Sequence, residues 1–142
     1  MAYMSQENKK SKAPKIKALL KEYGIKGSLA VRNYSTLVLN LKGGTIDFIG
    51  EYNKQVDAQN SRVGQYRAEG YMDVNTYWYM EHFTGEAKEF FGKVLEIMND
   101  GNHDNSDAQV DYFDVGWYSN INVGKWNKPY EYVAPILEHD NE

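Results

Sequence analysis

The residues whose spacing most resembles a chemical site lie between 100 and 111. Asp100, Asn102, Asp104 and Ser106 alternate, and Asp107 and Asp111 follow. Oxygen ligands at alternate positions with an acid at the twelfth are the pattern by which a loop wraps a calcium ion. Asp100, Asn102, Asp104 and Asp111 are therefore the candidate metal ligands, and calcium is the ion they fit. Three departures weigh against it. Asn105 stands where glycine makes the sharp turn, Asp107 stands where an apolar residue is usual, and the following segment reads as strand rather than helix. Asp and Asn also cap and turn ordinary loops, so the balance favours a polar loop and no cofactor.

Other catalytic chemistries find little support. The chain has no cysteine, which removes thiol nucleophiles, disulfides and cysteine-ligated metals. His82, His103 and His139 form no His-Glu-x-x-His spacing, and His82 suits a helix end, where a cation is favoured. A triad whose members meet only in space is not legible in a sequence. The expectation leans away from an enzyme, with a small hydrolase using the acids of 100–111 as the least favoured reading.

Binding chemistry is better represented. Residues 1–67 carry 12 Lys/Arg against 5 Asp/Glu, whereas 68–142 carry 4 against 15, so the net charge of −4 conceals a dipolar chain. Seven cations precede residue 27: Lys9, Lys10, Lys12, Lys15, Lys17, Lys21 and Lys26. They are the candidate nucleic-acid contacts, because phosphate contacts are additive and indifferent to sequence. The competing reading is a solvated helix face. Two polar segments with aromatics, Arg32-Asn33-Tyr34-Ser35 and Gly124-Lys125-Trp126, are candidates for touching a protein partner. From these, Arg32, Asn33, Tyr34, Lys125 and Trp126 are the contact residues, with a plain hairpin turn as the alternative for the first segment.

The elements that must position these residues follow from periodicity. Ser5 can cap a short polar turn over 5–12. Pro14 suits the first position of a helix running to Tyr23, with Ile16, Leu19, Leu20 and Tyr23 on one stripe and Gly24 as its stop. Leu29 and Val31, then Leu37, Leu39 and Leu41, alternate as strands do, with a turn at Asn33–Ser35. Gly43-Gly44 reads as a hairpin loop leading into a third strand at Ile46 and Phe48. Residues 51–70 lack a pattern and read as a mobile insertion. Asn75 and Thr84 can cap helices, the second carrying Ala87, Phe90, Phe91, Val94 and Met98. Strands are expected around 110–113 and 121–123, with a turn at Ser119-Asn120 between them. An edge strand is expected at 130–133, and 134–142 should fray. The predicted whole is one α+β domain over 1–142, an antiparallel sheet of about five strands with helices on one face.

Size and composition agree with one domain: 142 residues, in which Leu, Ile, Val and Phe number only 30 and 12 Tyr, 3 Trp and 5 Phe must supply much of the core. The first ten residues lack the apolar core of a secretory signal, and no stretch reaches the ~20 apolar residues of a membrane span. A cytoplasmic protein without membrane contact is expected. The order α-β-β-β-α over the first hundred residues is that of a double-stranded RNA-binding domain. Its second helix, however, opens Gly85-Glu86-Ala87-Lys88-Glu89, acidic where phosphates need cations.

Several segments together resemble a family of small proteins encoded by bacteriophages and plasmids, itself similar to a domain type associated with the large polyvalent proteins of such elements. They are Tyr23-Gly24-Ile25-Lys26-Gly27-Ser28-Leu29-Ala30-Val31-Arg32-Asn33-Tyr34-Ser35-Thr36-Leu37-Val38-Leu39, Ile46-Asp47-Phe48, Val74 to Trp78, Gln109 to Asp114 and Asn122 to Tyr130. The resemblance implies a mobile-element setting in a host bacterial cytoplasm, with host takeover or counter-defence as the task. It brings no catalytic residues. The expected function is non-enzymatic binding of a host protein, with phosphate-backbone binding by the N-terminal lysines as the alternative.

Overall fold

A computed structural model describes residues 2–58, 68–74, 76, 79–102 and 116–133. The elements run α1 (Gln6–Tyr23), β1 (Ile25–Arg32), β2 (Thr36–Gly44), α2 (Phe48–Ala58), β3 (Met72–Val74), α3 (Tyr79–His82), α4 (Gly85–Met98), β4 (Tyr118–Val123) and β5 (Glu131–Tyr132). The fold is α+β as expected, but its sheet is mixed. β1 pairs antiparallel with β2, β4 lies parallel to β2, and β3 closes the far edge antiparallel to β4. β5 extends the line of β4, parallel to the end of β2.

Ser5 does cap a helix, its side chain accepting from the Asn8 N–H at 2.9 Å. That helix is the whole of α1 rather than a short turn, and Pro14 lies inside it. An interior proline removes a backbone bond and costs about 3 kcal/mol in isolation. Burial of Lys12, Ile16, Leu19, Leu20 and Tyr23 along one face offsets this. The preceding residues are tied to the sheet as well: Met4 is buried, and its N–H donates to the Tyr34 carbonyl at 2.7 Å.

Leu37, Leu39 and Leu41 are buried on the face that meets the helices. Gly43 and Gly44 make no hairpin loop. They end β2, paired with Ile25 and Lys26 on one side and Glu131 and Tyr132 on the other. A Cβ on Gly43 would lie 2.7 Å from the Glu131 carbonyl, so glycine is what lets β5 approach. Where a third strand was expected, Asp47 starts α2 by accepting the Gly50 N–H at 2.9 Å. The order expected of an RNA-binding domain is therefore absent, and residues 51–58 of the expected insertion are helical. Residues 59–67 and the tail at 134–142 lie outside the described residues. Ser119 and Asn120, expected as a turn, lie within β4. The strand expected at 110–113 and the cap at Asn75 also lie outside the described residues. Thr84 precedes α4 without a side-chain capping bond.

α2 carries Phe48 into the core beside Phe83, Phe90, Phe91 and Tyr130. The Tyr130 hydroxyl donates to the Ile46 carbonyl at 2.8 Å. Burial, then the nearby Asp47 carboxylate and Tyr132, push the Tyr130 phenol well above its usual value. A folded pKa above the unfolded one means that the native state keeps its proton while the unfolded state loses it. This contribution to stability is whole below about pH 10 and is lost as pH rises further. Native stability should thus fall above pH 10 more steeply than in Tyr130→Phe, by up to about 1.4 kcal/mol per pH unit. The variant should start about 1–2 kcal/mol lower at pH 7 because it lacks the bond to Ile46. Urea unfolding at pH 7 and across pH 10–11.5 measures both, and parallel curves would contradict the assignment.

Candidate interaction surface

Alternation along the strands gives the sheet a second face, on which no described helix packs. Paired positions cross it as polar rungs. Ser28, Asn40, Asn122 and Asp73 form one rung across all four strands, and Arg32, Thr36 and Tyr118 form another. Asn122 donates its amide to Asn40 Oδ1 at 3.0 Å, fixing both side chains. Between these rungs lie Ala30, Val38 and Asn120. Val38 is only 4% exposed, and the neighbouring Asn120 Oδ1 is buried without a hydrogen-bond partner. A buried acceptor left unpaired costs about 1–3 kcal/mol.

One end of the face is the β1–β2 turn. Ser35 N–H returns to the Arg32 carbonyl at 3.2 Å, and Asn33 and Tyr34 have φ of 55° and 58°. Both central residues are left-handed, as in the tight turns that match strand twist and favour Asn-Gly. Tyr34 occupies the glycine position, with its side chain 80% exposed. The Ser35 carbonyl accepts the Tyr118 N–H at 2.9 Å, and the Met4 N–H bond places Tyr3 alongside. Tyr3, Tyr34 and Tyr118 are all exposed around Arg32.

The opposite end is the turn after β4. Lys125 and Lys128 exchange backbone hydrogen bonds of 2.9 and 3.1 Å, which lift Trp126 into solvent at 78% exposure. The two expected partner-binding segments are real turns but do not form one site. Arg32, Asn33 and Tyr34 sit at the start of β2, whereas Lys125 and Trp126 lie beyond its end, separated by about 20 Å of strand.

The N-terminal lysines are dispersed. Lys10, Lys17 and Lys21 share an exposed flank of α1. Lys15 projects from the other flank, Lys9 is half-buried, and Lys26 belongs to β1. Lys12 is 5% exposed, and its ammonium donates to the Asp100 carbonyl at 2.6 Å while lying 5.0 Å from the Trp117 ring centroid. Burial lowers its pKa, against the Asp100 carboxylate, which raises it. Lys12 therefore clamps α1 to the end of α4 and is withdrawn from phosphate contact. Nothing in the charge pattern distinguished it from its neighbours, although it falls on the same helical face as Ile16, Leu19 and Tyr23.

Two of the four expected metal ligands, Asp100 and Asn102, are among the described residues. Asn102 Oδ1 accepts the Trp117 N–H at 3.0 Å and its Nδ2 donates to the Trp117 carbonyl at 2.8 Å, so this amide mimics a strand partner. Asp100 contributes its backbone to Lys12. Asp104 and Asp111 lie outside the described residues. Among the described residues, no three His, Asp or Glu side chains gather as a metal site, and no helix is long and apolar enough to cross a membrane. His82 ends α3 as expected, edge-on to Tyr52 at 5.4 Å.

Tyr3, Asn120 and the Asn40–Asn122 pair escaped sequence reasoning, as did Tyr118. The only available signal was the alternation of β2, which sets Val38, Asn40 and Lys42 opposite the leucines. No family model, curated protein or solved structure matches this chain.

Proposed function

We propose that this chain is a non-enzymatic binding protein that docks a protein partner on the Tyr34 end of the sheet face on which no described helix packs. The observation that carries the proposal is Tyr34 itself. A non-glycine residue in the left-handed region costs about 1–2 kcal/mol, and here that cost supports no core contact, because the ring is in solvent. Strain maintained at an exposed aromatic supports a contact role. The surroundings match it: Tyr and Arg are the side chains most enriched among residues that dominate protein interfaces. Tyr, Ser and Asn together are the composition of adaptable protein-binding surfaces. In the setting that the resemblance implies, the partner is a protein of the bacterial host cytoplasm and the task is host takeover or counter-defence.

Tyr34→Gly separates the two roles of this residue. The variant should be more stable by about 0.5–1 kcal/mol, because glycine relieves the strain and returns part of the gain as unfolded-state entropy. It should also lose at least 2 kcal/mol of partner affinity, roughly 30-fold. Urea unfolding reads the first. Recovery of bound protein from nuclease-treated bacterial lysate, compared between native and variant chains, reads the second. Equal recovery by both chains would remove Tyr34 from the interface.

A further inference from the structure

We propose that the small cavity between the end of β2 and the Lys125–Lys128 turn binds the phosphoryl group of a nucleotide, with the Trp126 indole stacking on the base. The cavity has a volume of about 130 Å³ and is lined by Asn40, Leu41, Lys42, Gly124, Lys125 and Lys128. This is well below the ~300 Å³ at which pockets enclose a whole small organic ligand, and it suits one compact oxyanion.

The described lining combines Leu41 and Gly124 with four residues whose side chains carry N–H donors. Three of its side chains are ammonium groups, each with three N–H donors and no acceptor. Among the described residues, none of the three forms an ion pair and no carboxylate lines the cavity, although the chain holds 20 acids against 16 bases. Asn40 has its Oδ1 engaged by Asn122, which leaves its NH₂ as the free end of the amide. Three ammonium groups favour an anion over a cation here.

Backbone pairing fixes the arrangement. The Gly124 N–H donates to the Leu41 carbonyl at 2.8 Å, and the paired Lys125 and Lys128 set the two ends of the turn. Trp126 lies between those lysines in sequence, at the tip of the turn. A flat aromatic side chain on the same turn as two of the cavity's lysines is complementary to a phosphate joined to a planar base, and stacking on such a ring tolerates any base. A phosphorylated peptide supplies the oxyanion without the plane, and its usual receptors use arginine forks. This inference concerns the other end of the face from Tyr34 and stands independently of the protein-docking reading.

Titration of the full-length chain with adenosine monophosphate, a deoxythymidine hexanucleotide, inorganic phosphate and a polyglutamate peptide, followed by tryptophan emission and calorimetry, tests it. Both nucleotide probes should bind at low salt and quench emission, with affinity falling as salt rises. Phosphate should compete without quenching. Trp126→Ala should weaken nucleotide binding about tenfold, and Lys125→Gln with Lys128→Gln should weaken it and flatten the salt dependence, with unfolding midpoints unchanged. A hexanucleotide binding more tightly than the monophosphate identifies a single strand as the source of the nucleotide; equal affinity identifies a free nucleotide. Absence of binding by either probe at low salt would overturn the proposal. So would binding unaffected by these substitutions, or polyglutamate binding as tightly as the nucleotides. None of these results bears on Tyr34→Gly.

Discussion

Phe48→Ala is expected to cost about 3–5 kcal/mol, the range for removing a buried phenyl ring from a packed core. Phe48 is fully buried, with ring centroids 4.9 Å from Phe91, 5.7 Å from Phe90, 6.3 Å from Phe83 and 5.5 Å from Tyr130. It therefore joins α2, α4 and the segment before β5 in a single cluster. Domains of this size hold only about 5–15 kcal/mol in total, so the loss takes a large share of the margin. Phe48→Leu should cost clearly less, because it refills part of the cavity. Urea unfolding of both variants checks the ranking, and a loss below 1 kcal/mol for alanine would show that Phe48 is not the hub of the core.

Gly124→Ala carries the second large effect. Gly124 has φ of 69°, and an added Cβ would lie 2.6 Å from the Tyr130 nitrogen and 2.7 Å from the Gly70 carbonyl oxygen. Those two atoms are themselves hydrogen-bonded at 2.8 Å, so the methyl group would wedge into that bond. Left-handed alanine costs about 1–2 kcal/mol and overpacking about 1–3, which together give an expected loss of about 2–5 kcal/mol. The turn bearing Lys125, Trp126 and Lys128 should shift with it. Asn127→Ala, at an exposed position of the same turn, should stay within about 0.5 kcal/mol. Similar losses for the two variants would show that the backbone around Gly124 yields freely.

Phe48 also shows where the sequence was and was not legible. Ile46 and Phe48 alternate, which reads as strand, yet Phe48, Ile49, Tyr52 and Val56 fall on one helical stripe with Asp47 at its start. Over so short a stretch the two periods compete, and the cap decides between them. The leucine face of β2, the turn at Asn33–Tyr34 and α4 were readable because each rests on local pattern. Parallel pairing of β2 with β4 was not readable, because it joins strands about 80 residues apart and nothing local specifies it. Pro14 misled for the opposite reason. Its strong preference for a helix start was overridden by the packing of Lys12 and Met4 on its N-terminal side. The surface at the Tyr34 end was half-visible. Arg32, Asn33 and Tyr34 are contiguous, but Tyr3, Tyr118 and Asn120 reach them only through the sheet.

A protein partner should meet the sheet face at Tyr34 rather than the lysines of α1. Hydroxyl-radical footprinting of the recovered complex tests this most directly, because tyrosine rings report their own exposure. Tyr34 and Tyr118 should lose most of their reactivity when the partner is bound, while Lys10→Glu, Lys17→Glu and Lys21→Glu leave recovery of the partner unchanged. Tyr34 and Tyr118 reacting at the same rate free and bound, with recovery abolished by the three charge reversals, would place the contact on the helix and contradict it.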